Sequence, residues 1–122
     1  MRYKFRAYWN PGKLMIPYEQ IESINFETKV LGVYHKIGDI GYHKLRISDF
    51  EIMQFTGLTD RNGKEIYEGD IVKSHQEIGE VKWTYSQWRA EWKDYDSYLH
   101  QIALNCEVIG NRFENPELLE AK

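Results

Sequence analysis

Catalysis by this chain would have to draw on a short inventory of residues. Cys106 sits between Asn105 and Glu107, histidines stand at His35, His43, His75 and His100, and carboxylates pair at Glu68 with Asp70 and at Asp94 with Asp96. A zinc site needs several ligands converging from short spacings, and these histidines have neither the spacing of a helical pair nor cysteine neighbours. No metal or other cofactor is expected. Cys106 becomes a nucleophile only if the fold brings a base beside it, and a packed, inert thiol is the expectation. The carboxylate pairs have the i,i+2 spacing that puts both members on one face of a strand, where water is expected to cover them as ordinary surface charge. A phosphate-binding loop needs a glycine-rich run ending in lysine and serine or threonine; Gly38 and Gly41 lack that context. No catalytic residue is therefore assigned.

The aromatic residues are harder to dismiss. Trp83, Trp88 and Trp92 crowd together with Tyr85, Tyr95 and Tyr98, and a small domain has limited interior for so many large rings. They either fill the core or reach the surface, where aromatics mark partner and subunit interfaces. Trp83, Tyr85, Trp88, Trp92 and Tyr67 form the candidate partner-contacting set. The interleaved Lys82, Arg89 and Lys93 would also suit stacking of single-stranded bases, but Glu80, Glu91, Asp94 and Asp96 stand among them.

The elements that must position these side chains are short and mostly extended. A chain of 122 residues with a net charge of −3 and a single cysteine is expected to fold as one soluble domain without disulfides. The basic start, with Arg2, Lys4 and Arg6, gives no global basic footprint for nucleic acid. No apolar run reaches membrane-spanning length and the start lacks a secretory signal, so a cytoplasmic location and no membrane contact are expected.

From Lys4 to Trp9 apolar and polar residues alternate as on a half-buried strand. Asn10-Pro11-Gly12-Lys13 has the form of a type II turn, with Pro11 and Gly12 central, leading to a return strand from Leu14 that ends before Pro17. Ile24–Phe26 and Val30–Tyr34 suggest a second hairpin. The glycines of 37–42 suggest a loop or irregular edge, and Ser48-Asp49-Phe50-Glu51 has the pattern of a capping box at a helix start, for which one turn would suffice. Met53–Leu58 and Lys64–Tyr67 flank Asp60-Arg61-Asn62-Gly63, a type I turn whose charged residues should sit at a solvated tip. After a strand from Ile71 and a loop near Glu77-Ile78-Gly79, Glu80–Ser86 and Trp88–Lys93 form a tight pair. Residues 94–105 hold a helical turn or a loop, and Glu107–Asn111 reads as a last strand. Asn115-Pro116-Glu117 caps a short terminal helix.

These strands indicate a mainly β fold, a small SH3-like β-barrel or roll with an N-terminal β extension and a short C-terminal helix, the alternative being a two-sheet sandwich. The expected organisation is one domain: an N-terminal β portion (1–50), a barrel portion (51–114) and a helical tail (115–122).

Three stretches, KFRAYWNPGKLM at the start, MQFTGLTDRNGKEIYEGDIV in the middle and EVIGNRFENPELLE at the end, resemble the YopX family of phage- and prophage-encoded proteins. The resemblance covers most of the chain except 19–47 and 88–106. It implies an SH3-type β-barrel with an extra N-terminal β portion, and it brings no activity, cofactor or site residue with it. The expected function is that of a non-enzymatic protein-interaction module, with self-association as one form of it. A single-stranded nucleic-acid-binding protein is the alternative, and an enzyme of unknown type the third reading.

Overall fold

The computed structural model describes residues 3–122, so Arg2 of the basic start lies outside it. The chain is mainly β and divides into two compact units, 4–53 and 54–122, the second taking in Tyr3.

In the first unit, β1 (Phe5–Trp9) pairs antiparallel with β2 (Leu14–Ile16) in the register Ala7↔Ile16 and Trp9↔Leu14. Pro17 ends β2, as its missing N–H requires. The turn between them is not type II: the left-handed residue is Lys13 (φ 53°), and the Lys13 N–H donates to the Asn10 carbonyl at 3.3 Å. Gly12 is needed for space instead, because a Cβ there would lie 2.5 Å from the Trp9 ring. Strands β3 (Ile21–Asn25), β4 (Val30–Val33) and β5 (His43–Arg46) make an antiparallel sheet in that order. The β3–β4 turn is fixed by Asn25, whose Oδ1 accepts the N–H groups of Glu27 and Thr28, both at 3.0 Å. Ala7, Ile16, Leu31, Val33 and Phe50 form this unit's core. The capping-box pattern starts no α-helix: Ile47–Asp49 make one 3-10 turn without a side-chain cap, and Phe50 already opens β6 (Phe50–Thr59), the strand along which the chain passes into the second unit.

The second unit is built on a five-stranded antiparallel sheet with the order β11-β10-β9-β8-β12. Its strands are β8 (Asp70–Ser74), β9 (Glu77–Thr84), β10 (Gln87–Glu91), β11 (Asp96–Tyr98) and β12 (Glu107–Asn111). β6 pairs with β7 (Glu65–Tyr67), and the register shifts between Phe55 and Thr59. Gly57 takes φ 85° within that shift, as bulges commonly require. Thr56 fills the gap: its hydroxyl donates to the Ile66 carbonyl at 2.7 Å and accepts the Leu58 N–H at 3.2 Å. Leu99–Ile102 form the helical turn α1, continued by a 3-10 turn, and Pro116–Ala121 form the short C-terminal helix, of 3-10 type. Asn115 does not cap that helix; its Oδ1 accepts the Asn111 N–H instead. Ile66, Val72, Val81, Ala90, Trp92, Leu99, Ala103, Cys106 and Val108 make the core.

Glycine misleads at 77–79. The chain reverses two residues earlier, at His75 (φ 50°) and Gln76 (φ 71°), and Gly79 lies inside β9. A Cβ on Gly79 would sit 2.8 Å from Trp92 Cε3, so the glycine makes room for the indole.

The charged turn after β6 is a second correction. Asp60 is buried, 2% exposed, rather than solvated. Oδ1 accepts the N–H groups of Asn62 and Lys64 at 2.8 and 2.9 Å, and Oδ2 accepts the N–H of Val108 on β12 at 2.9 Å. Burial alone would raise its pKa, but these bonds and the nearby Lys64 hold the carboxyl below its ordinary range. Asp70, expected to share a wet face with Glu68, is also buried, and its Oδ2 accepts the Tyr67 N–H at 2.7 Å. Both aspartates satisfy backbone donors near tight turns, and Asp60 also takes one from β12.

Candidate partner-binding cleft

The β9–β10 hairpin closes through two residues, Tyr85 (φ 52°) and Ser86 (φ 61°), with Thr84 opposite Gln87. Positive φ at both central positions is the hairpin geometry that matches strand twist, and it usually selects Asn-Gly. Tyrosine is held there against its steric preference and is 86% exposed.

The next pair inward is Trp83 opposite Trp88. In a two-residue hairpin this pair lacks mutual backbone hydrogen bonds, which brings its side chains closer together. The two rings meet edge to face, with centroids 4.9 Å apart and planes at 67°. Val81 and Ala90 lie on the same face one pair deeper, both fully buried, so the tryptophans stand where the core runs out. Trp83 is 52% exposed, while Trp88 is half-buried against the core.

The indoles separate two clefts. One, of about 190 Å³, is lined by both tryptophans, Gln54 and Glu68. The other, of about 250 Å³, is lined by both tryptophans with Thr56, Leu58 and His100 among its walls. Glu68 is half-buried, and its carboxylate has no hydrogen-bond or ion-pair partner among the described residues.

The other face of the hairpin is a closed ion-pair network. Lys82 bonds Glu91 at 3.1 Å and approaches Glu80 at 4.0 Å; Lys122 also reaches Glu91, and Arg112 reaches Glu80 at 3.5 Å. The Lys122 and Lys82 bonds hold the Glu91 carboxyl below its ordinary range. Arg89 pairs with Asp96 at 3.5 Å and stacks its guanidinium over Tyr98 and Tyr85, at 4.8 and 5.5 Å from the ring centroids. Lys82 and Arg89 are thus on the face opposite Trp83 and Trp88 and already hold acidic partners. Interleaving in sequence does not become interleaving in space.

Of the five candidate residues, Trp83, Tyr85 and Trp88 share the surface end of one hairpin. Trp92 and Tyr67 do not. Trp92 is 5% exposed, with its indole N–H donated to Ser97 Oγ at 3.1 Å, and Tyr67 is 7% exposed beside Phe55 at a centroid distance of 5.5 Å. Trp92 belongs to the core, where Gly79 makes room for its indole, and Tyr67 is buried as well. Sequence reading missed Gln54, Leu58, Glu68 and His100 as cleft walls, since only the tertiary fold brings β6 and α1 to the hairpin.

Cys106 is fully buried and burial pushes its thiol up to about 11, against the lowering effect of a hydrogen bond with Ser74. At neutral pH it is a protonated core residue. No group of three metal-ligating side chains converges among the described residues, and no helix there is long and apolar enough to cross a membrane.

The crystal structure of protein EF1440 from Enterococcus faecalis is similar to this chain, with 26% sequence identity, a TM-score of 0.68 and coverage of 98% of this chain and 99% of that one. No curated protein matches. The family model described as YopX protein matches residues 4–120. From its first strand to its C-terminal helix, this chain belongs to the YopX family.

Proposed function

We propose that this YopX-family protein is a non-enzymatic interaction module, a phage or prophage accessory protein that works in the bacterial cytoplasm by docking a protein partner at the Trp83–Trp88 cleft. A second copy of the chain is one such partner. In this reading the unit 54–122 is an SH3-like roll that presents the cleft at the end of its β9–β10 hairpin. One observation carries the proposal: Trp83, set edge to face against Trp88 where the core ends, leaves half its surface in water between two clefts. Aromatic side chains so placed are the usual anchors of protein interfaces. The strained Tyr85 at the tip of the same hairpin, its ring under Arg89, fits the same reading, because backbone strain of this kind gathers at functional positions. Single-stranded nucleic acid is disfavoured, since the hairpin's cations Lys82 and Arg89 are paired on the other face, while stacking platforms need cations along the path of the strand.

The test is a photo-crosslinking amino acid at position 85, expressed in the bacterial host. Discrete protein adducts that disappear when Trp83→Ala is added are expected. Their absence, or their survival in the Trp83→Ala background, overturns the reading. Light scattering on the eluted protein separates self-association from capture of another chain.

A further inference from the structure

The cleft between Trp83, Trp88, Gln54 and Glu68 has a composition that discriminates among occupants. An apolar side chain would pack against the two indoles but leave the Glu68 carboxylate facing it without compensation. A carboxylate or phosphate would meet Glu68 as a like charge. A cation is favoured on both counts, since indole has the strongest cation-attracting face of the aromatic side chains and a half-buried carboxylate strengthens the attraction. No cation of the chain occupies that role among the described residues: Lys82, Arg89, Arg112 and Lys122 are bonded to Glu80, Glu91 and Asp96. The chain's net charge of −3 adds a weak general pull in the same direction.

We propose that this cleft takes the cationic side chain of a lysine or arginine carried on the partner protein, held over Trp83 and Trp88 and countered by Glu68. This rests on the docking role given to the cleft above and specifies its ligand chemistry. The neighbouring cleft, walled by Thr56 and Leu58 and sharing both tryptophans, would take the apolar residue next to that cation along an extended segment.

The experiment follows the indole N–H signals of the full-length, nitrogen-15-labelled protein by NMR, with capped Gly-Lys-Gly, Gly-Arg-Gly and Gly-norleucine-Gly peptides as probes. Norleucine keeps the aliphatic stem of lysine without its charge. The lysine and arginine peptides should move the Trp83 and Trp88 signals, bind at least about fivefold more tightly than the norleucine peptide, and leave the buried Trp92 signal in place. Glu68→Gln should reduce that preference to near unity without altering the remaining spectrum. Equal binding of all three peptides, a preference that survives Glu68→Gln, or no response from either tryptophan overturns the proposal. Crosslinks at position 85 that depend on Trp83 would still stand in each of those cases, so failure of the cation site is distinguishable from failure of the docking role.

Discussion

Replacing Asp60 by asparagine should destabilise the 54–122 unit severely for so conservative a change. The amide keeps one carbonyl oxygen to accept the Asn62 and Lys64 N–H groups but turns an NH2 towards the Val108 N–H, where Oδ2 now accepts at 2.9 Å. A buried N–H left without an acceptor costs about 1–3 kcal/mol, and two bonds reduced from charged to neutral lose about 0.5 kcal/mol each. The easier desolvation of a neutral amide offsets part of this. The sum is about 2 kcal/mol, or about 8 °C in Tm for a domain of this size. Urea denaturation followed by tryptophan fluorescence at neutral pH should show a lower midpoint at unchanged slope. The pH dependence supplies an independent check. Asp60 is held below its ordinary value of 3.8 in the folded state, so its stabilisation is fully present above that value and is lost as pH falls through the lower folded-state value. The gap between wild type and Asp60→Asn should therefore narrow only below about pH 4. A variant within about 0.5 kcal/mol of wild type at neutral pH would refute the argument, because the backbone bonds would then be dispensable.

Three further outcomes are expected. Gly79→Ala places a methyl group 2.8 Å from Trp92 and 3.1 Å from the Glu91 carbonyl, so it should lower stability by about 2 kcal/mol in the same urea assay, since a packed core resists added volume. Tyr85→Asn combined with Ser86→Gly should raise stability by about 1 kcal/mol by relieving left-handed strain, while weakening Trp83-dependent partner capture, measured with the crosslinker at position 87. Cys106, buried and with its thiol pushed up to about 11, should resist iodoacetamide in the folded protein at pH 8 and react promptly in urea, with mass spectrometry as the readout.

Much of the strand pattern could be read from alternation. The β9–β10 hairpin announced itself because Val81, Trp83, Trp88 and Ala90 repeat at period two on a single face, and Pro17 marked the end of β2 by chemistry alone. What escaped reading was mostly long-range. Asp60 looks like any turn aspartate, and only the arrival of β12, 48 residues later in sequence, makes it a buried acceptor. Gly79 suggests a loop but lies in a strand and admits an indole ring, as Gly12 does within its turn, while the non-glycine pair His75–Gln76 makes a tight turn. For the cleft, Trp83, Tyr85 and Trp88 were legible as an aromatic cluster. Glu68 was not, since its relation to them depends on how β6, β7 and β8 fold back on the hairpin.

The tether from Asp60 to Val108 also bears on how this protein can be engineered. Arg61, Asn62 and Gly63 are exposed and hydrophilic, the usual invitation to splice in an epitope tag or a reporter. An insertion there would stretch the Asn62 and Lys64 ends of the Asp60 network and loosen a strand distant in sequence. The segment around Gly38 and Gly41, where a Cβ would meet nothing within 4 Å, is the safer place for a graft.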